Sequence, residues 1–347
     1  MRYKLFGKSG LRVSEICLGT MTFGLEWGWG ASKAESRKMF DRFADTGGNF
    51  IDTANMYTDG TSEKLTGEFI RADREHFVLA TKYSLSMRKG DPNFSGNHRK
   101  NMVQSLEASL KRLKTEYVDI YWVHAWDFMT PIEEVMRGLD DLVHAGKVHY
   151  IGISDTPAWI VARANTMAGL KDWTAFTGMQ IKYSLAERTA ERDLLPLTRE
   201  DGMAVTVWGA LASGLLSGKF HNRKKRMSQK KNTRINPATD SKFFTEKNLA
   251  VTGKIMEIAE AMDRPPAQIA LNWVRQQQGT IIPIVGARND KQLKENLECL
   301  EFNLDKEQLW ALDDVSRIEL GFPHEFLRTE TVLQKLYGGT LDSIDLE

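Results

Sequence analysis

Phe50-Ile51-Asp52-Thr53-Ala54-Asn55-Met56-Tyr57 is the segment around which the rest of this chain is arranged. Gly47-Gly48 followed by Asn49-Phe50-Ile51 reads as a turn and then a short apolar run, the pattern of a buried strand. A carboxylate and a phenol leave that strand at its C-terminal end. Later strand-like runs finish on Lys82 and on His124. Carboxylate, phenol, amine and imidazole, each just past a strand, are the parts of a proton-transfer site.

On either side of this segment the pattern alternates. Residues 2–6 and 11–13 flank Gly7-Lys8-Ser9-Gly10 and predict a small N-terminal hairpin. Ile16-Cys17-Leu18 predicts the first buried strand, and Ser32 predicts the cap of a helix running to about residue 45. Further strands are expected at 50–52, 77–81, 118–123, 148–153, 176–181, 204–208 and 281–285. Helices are expected to begin near Ser62, Asn97, Pro131, Pro157 and Thr189. Such alternation argues for a parallel sheet with helical crossovers. An open doubly wound sheet of the nucleotide-binding kind should carry Gly-x-Gly-x-x-Gly after a strand, and none is present. Gly19-Thr20-Met21-Thr22-Phe23-Gly24 has P-loop glycine spacing but lacks the following Lys-Ser/Thr. About eight strand–helix units predict a closed (β/α)8 barrel, with residues 1–347 as a single domain and the active site at the C-terminal strand ends. Two stretches depart from the pattern. Residues 213–243 form a long connection, basic from Lys219 to Arg234. The segment after Glu319 has no helical period until about Thr331 and is expected to pack over the barrel mouth.

Composition narrows the function classes. Among 347 residues, 47 Lys plus Arg face 46 Asp plus Glu, so no overall field marks a nucleic-acid or membrane-surface binder. Cys17 and Cys299 are too few for a disulfide framework or a cysteine-rich metal site. The first residues lack the apolar core of a signal peptide, and no apolar run is long enough to span a bilayer. A cytoplasmic protein with small-molecule partners is expected, and the composition is compatible with a homo-oligomer.

The chemistry follows from the side chains. A phenol has an ordinary pKa of about 10 and needs a nearby ammonium to favour the phenolate. Lys82, in Ala80-Thr81-Lys82, is expected to supply it, with Asp52 keeping the ammonium charged and oriented. His124, in Trp122-Val123-His124-Ala125-Trp126-Asp127, is expected to donate a hydrogen bond to a carbonyl oxygen. This set serves the proton half of carbonyl reduction. No side chain supplies hydride, so a nicotinamide cofactor is implied. Each residue alone has an ordinary structural reading, and the coincidence of four at successive strand ends outweighs it.

The sequence resembles the aldo-keto reductases. Asp52-x-Ala54-x-x-Tyr57 followed by Gly60-Thr61-Ser62-Glu63 is similar to that superfamily's signature, and Lys82 and His124 match its other two catalytic positions. The likeness runs from the Gly19-Thr20-Met21 turn to Ile282-Pro283-Ile284-Val285-Gly286-Ala287-Arg288. It implies a barrel holding NADP(H) in an extended pose, with Asp52 among the cofactor contacts and Tyr57 as proton donor. Ser154-Asp155 stands where the family has Ser-Asn facing the nicotinamide carboxamide, and Gln180 matches its amide partner. Asp155 is a departure, because a carboxylate accepts but cannot donate. Trp208 matches the aromatic that stacks on the nicotinamide. Gly209, Ala210, Leu211, Ser213 and Gly214 match the loop over the pyrophosphate, and Lys219 and Arg234 its basic residues. Gly286, Arg288, Gln292, Glu295 and Asn296 match the adenosine-end motif, where Arg288 can pair with a 2′-phosphate. The Asn222-Arg223-Lys224-Lys225-Arg226 run is compatible with a nuclear-localisation or phosphate-binding segment, and a solvated loop is the preferred reading for Arg223 to Arg226. Trp27, Trp29, Met56, Trp126 and the loop around Phe94, with Tyr57 and His124, are expected to line the mouth and to suit an apolar, aromatic carbonyl or alcohol.

Two activities remain open at this level. One is an NADPH-dependent aldehyde or ketone reductase. The other is a cofactor-binding regulatory subunit like the aldo-keto-reductase-like β subunits of potassium channels. The intact set of four favours the enzyme.

Overall fold

The computed structural model of the chain describes residues 1–220 and 243–345. Tyr3–Leu5 (β1) and Arg12–Ser14 (β2) pair antiparallel as the expected hairpin. Eight parallel strands follow: Cys17–Gly19 (β3), Phe50–Asp52 (β4), Val78–Tyr83 (β5), Val118–Val123 (β6), Val148–Ser154 (β7), Gly178–Lys182 (β8), Ala204–Trp208 (β9) and Ile281–Val285 (β10). β10 pairs with β3 and closes the sheet into a barrel.

Helices follow the barrel strands, the last of them after β10. They are Lys33–Asp45 (α1), Thr61–Ile70 (α2), Arg99–Leu113 (α3), Ile132–His144 (α4), Ala158–Lys171 (α5), Leu194–Glu200 (α6), Glu246–Ala261 (α7), Pro266–Arg275 (α8) and Asp290–Leu297 (α9). Lys306–Ser316 (α10), His324–Leu327 (α11) and Glu330–Tyr337 (α12) complete the described α-helices. The caps are those the side chains dictate. The Ser32 hydroxyl accepts from the Glu35 N–H at 3.3 Å, and Asp305 and Gln308 form a capping box on α10. No described helix is long and apolar enough to cross a membrane.

Two cores result from the two-residue period of the strands. The larger lies between strands and helices. The smaller fills the barrel, where Phe6 from the hairpin turn meets Phe50, Val78, Ala80, Ile120, Trp122, Ala204 and Ile282. Phe6 packs edge-on against Phe50 and Trp122, with ring centroids 5.9 and 6.1 Å apart. The hairpin therefore plugs the barrel. Trp122 fits because β7 and β8 offer Gly152 and Gly178 to it: a Cβ on Gly152 would stand 2.3 Å from the indole ring. One inward step further along the strands come Asp52, Lys82, His124, Ser154, Gln180 and Thr206, so the apolar plug is the floor of a polar layer.

Two expectations need correction. β5 runs on to Tyr83, which puts Lys82 inside the strand end, paired with Trp122 of β6. The helix expected from Thr189 is only a 3-10 turn at Thr189–Glu191, and α6 begins at Leu194. Pro196 has no N–H to give, so it belongs in a helix's first turn and sets that start. The segment after Glu319 is held by the loop between β8 and α6. Arg192 Nε donates to the Leu320 carbonyl at 2.7 Å and His324 meets Asp193 at 3.2 Å, yet no residue of α11 or α12 is buried.

Candidate active site

The centre of the polar layer is Lys82. Its ammonium donates to Asp52 Oδ2, to the Thr53 carbonyl at 2.9 Å and to the Tyr57 hydroxyl at 3.1 Å. Lys82 is fully buried, and three acceptors exhaust its three donors. Tyr57 reaches it through a tight turn after β4, in which Thr58 and Asp59 take left-handed backbone angles. Across the barrel, Gln180 Nε2 donates to the second Asp52 oxygen, Oδ1, at 3.0 Å. The His124 ring stands edge-on to Tyr57, centroids 6.0 Å apart.

Burial sets the charge states. It pushes the Tyr57 phenol above its ordinary value, and the Lys82 ammonium pulls back only in part. The phenol is thus held protonated, whereas the sequence reading had Lys82 lowering it outright. For Lys82, burial works against the charge, but Asp52 and Tyr57 together outweigh it and the net direction is up. Burial, with Lys82 nearby, lowers the His124 imidazole to about 3, so it is neutral.

The backbone around His124 is held by a clamp that sequence reading missed. Asn97 Nδ2 donates to the Ser84 hydroxyl at 3.0 Å and to the Ala125 carbonyl at 2.8 Å, while its N–H reaches Asp127 Oδ2 at 2.7 Å. Asp127 is crowded, which alone would raise its carboxyl. The Asn97, Thr130 and Met129 hydrogen bonds reverse that, and its net direction is down. Behind β5, Glu63 is buried and accepts from Thr81 at 2.6 Å and from Arg112 Nε at 2.5 Å. Glu63 sat within the quoted signature, but its partners on β5 and α3 have no signal in the local sequence.

The residues expected to hold a cofactor ring this centre from β7 round to β3. Ser154 ends β7, and its hydroxyl is buried without a partner. Asp155 follows with φ 43° and accepts from Trp208 Nε1 at 3.1 Å. Gly209, Ala210 and Leu211 lead from Trp208 into a 3-10 turn, Ala212–Ser217, in which Ser213 and Gly214 have positive φ. Lys219 folds back over Gly214, whose missing Cβ would lie 2.6 Å from the ammonium. Burial lowers the Lys219 pKa, and so does the charge of Arg288, placing two cations in one field. Gly286, after β10, lies against the Gly19 carbonyl. The Arg288 N–H donates to Gln292 Oε1 at 3.1 Å at the start of α9, Asn296 is buried on that helix, and the Glu295 carbonyl accepts from Gln268 at 2.7 Å. Thr20 and Met21 close the ring, but the Thr20 hydroxyl is already bonded to the Asp52 carbonyl at 3.1 Å and to Ser62 at 2.8 Å. Arg234 and the run from Asn222 to Arg226 lie outside the described residues.

Of the residues expected at the mouth, Trp27 borders the centre directly, edge-on to Tyr57 at 6.3 Å and against Trp29 at 5.6 Å. Trp126 packs onto the main core. Phe94 is covered by the Arg88 guanidinium at 3.9 Å, and Met56 is half-buried.

Fold and centre define a (β/α)8 barrel with a buried Asp–Lys–Tyr network and a neutral imidazole at its C-terminal mouth. The chain belongs to the aldo/keto reductase family, which it matches over residues 15–317, and it is an oxidoreductase. It is 38% identical over 334 residues to a norsolorinic acid reductase of Aspergillus flavus, covering 93% of this chain and 83% of that protein. It is 37% identical over 330 residues to the aryl-alcohol dehydrogenase [NADP(+)] of Phanerodontia chrysosporium, covering 91% and 86%. A putative aryl-alcohol dehydrogenase of Saccharomyces cerevisiae is 33% identical over 348 residues, covering 96% and 92%.

Proposed function

We propose that residues 1–347 act as one domain that reduces an aromatic aldehyde or ketone to its alcohol at the expense of NADPH. The observation that carries this reading is the Lys82 ammonium holding Tyr57 at 3.1 Å while Asp52 anchors it from behind. Tyr57 keeps its proton and gives it to the oxygen of the reacting carbonyl. Lys82 then stabilises the phenolate left behind, and Asp52, tied by Gln180, keeps Lys82 in place. His124, neutral, donates a hydrogen bond to the same oxygen and orients it. The reduced nicotinamide, when bound, supplies the hydride that no side chain can.

The residues present fit such a cofactor. The unpartnered Ser154 hydroxyl suits a carboxamide oxygen, and the Gly19–Gly286 approach leaves space that a Cβ would fill. Lys219 and Arg288, sharing one field, suit phosphate groups. The Trp27 indole beside Tyr57 favours an aromatic substrate, and the name of the aryl-alcohol dehydrogenase relative points the same way.

Turnover of a panel of aromatic and aliphatic aldehydes with NADPH tests the activity; no turnover of any would sink it. Cofactor choice is tested by dissociation constants. A guanidinium–phosphate hydrogen-bond pair contributes roughly 1.5–3 kcal/mol, or about ten- to a hundredfold in affinity. Arg288→Ala should therefore weaken NADPH by that factor and NADH far less. Equal weakening of both would make Arg288 a general anchor.

A further inference from the structure

Asp155 is a carboxylate beside the site that neither proton delivery nor the reading above employs. It begins where β7 ends, and its N–H donates to the Gln180 carbonyl at 3.3 Å. Gln180 in turn donates to Asp52, which holds Lys82 and through it Tyr57. Asp155 thus stands next to the reacting centre. The cations that face it are committed elsewhere: Lys82 to Asp52, and Lys182 to Glu187 at 3.9 Å. Among the described residues no cation lies within ion-pair distance of Asp155, and the Trp208 N–H is its hydrogen-bond donor. Its charge nevertheless reaches the centre, since Tyr57 is held up partly by Asp155.

We infer that Asp155 sets the relative affinity for the oxidised and the reduced cofactor, by placing an unneutralised negative charge beside the site of hydride exchange. This rests on the NADP(H) reading. The physical reason is a difference of one unit charge. An oxidised nicotinamide ring is a cation and a reduced one is neutral, and every other part of the two cofactors is identical. Any ring that passes hydride to a carbonyl held by Tyr57 must lie against that carbonyl, within the field of Asp155. The carboxylate therefore favours the oxidised form and leaves the reduced form nearly unaffected. Burial of the Asp155 carboxyl raises its pKa against the pull of the Trp208 N–H, Lys82 and Lys182, while the residue as a whole is exposed, so solvent screening keeps the effect moderate, about five- to tenfold.

Asp155→Asn is a clean test. An amide oxygen can still accept from Trp208, and Asn tolerates φ 43° as well as Asp does. The charge goes and an N–H donor is gained, which can meet only parts that the two cofactors share. Dissociation constants for NADP⁺ and NADPH are measured by quenching of tryptophan fluorescence on wild type and variant at one salt concentration. The ratio of the NADP⁺ to the NADPH constant should rise about five- to tenfold, through weaker NADP⁺. Asp155→Gly, which suits the same backbone angle and also removes the Trp208 bond, should raise the ratio equally while weakening both cofactors. A ratio unchanged or lowered in both variants overturns the inference and leaves the NADP(H) reading intact. Failure of wild type to bind either cofactor overturns both.

Discussion

Tyr57 carries the proton, and its surroundings explain how. Burial keeps the phenol protonated and Lys82 waits to stabilise its anion, so loss of the hydroxyl should be felt in the chemical step. General acid catalysis contributes about 10²–10⁴-fold. Tyr57→Phe should lose at least that much in single-turnover reduction, with the NADPH dissociation constant nearly unchanged; a variant above half of wild-type rate would refute the role. His124 offers a pH test. Its imidazole is held at about 3 when folded against an ordinary value of 6.5. The unfolded chain therefore binds a proton there between pH 6.5 and 3 that the folded chain refuses. Stability contributed by the neutral imidazole is full above pH 6.5 and is lost progressively below it. His124→Gln should show a shallower fall of the urea midpoint between pH 7 and 4 than wild type, and equal slopes would contradict this account.

At the scale of elements, the barrel interior depends on glycine where a bulky ring must pass. Trp122 of β6 occupies the space that Gly152 of β7 and Gly178 of β8 leave open, and Phe6 closes it from below. Gly152→Ala would place a methyl 2.3 Å from an indole that is fully buried. Overpacking of this kind costs about 1–3 kcal/mol. The variant should unfold at correspondingly lower urea, whereas Gly169→Ala, where a Cβ meets nothing within 4 Å, should not. Nothing local in the sequence marks these two glycines as the ones that must stay small. Their purpose appears when the neighbouring strand brings Trp122 against them.

The whole molecule is closed by contacts between its two ends. Arg275 of α8 donates to Glu15 at 2.9 Å, to the Phe302 carbonyl at 2.9 Å and to Asn303 at 2.7 Å, so one buried guanidinium joins the N-terminal hairpin to the segment before α10. Glu15 also accepts from the Arg2 N–H at 2.9 Å. Removing one partner of a buried pair leaves the other charge stranded, at a cost of about 3–5 kcal/mol. Arg275→Met should lower the unfolding free energy by about that amount with little change in NADPH affinity, and a loss below about 1 kcal/mol would mean that solvent reaches Glu15. Sequence order alone carried the strand count, the barrel, the hairpin and the placing of Asp52, Tyr57, Lys82 and His124 at strand ends. Those properties are periodic or local: apolar runs, turn residues and short motifs are written within a few residues of one another. The direction of the Tyr57 shift, the Gln180 bridge to Asp52, the Asn97 clamp and the pairing of Asp155 with Trp208 were decided by tertiary contact. Each depends on how much water is excluded or on which side chains meet across the barrel, and neither is encoded at any fixed spacing along the chain.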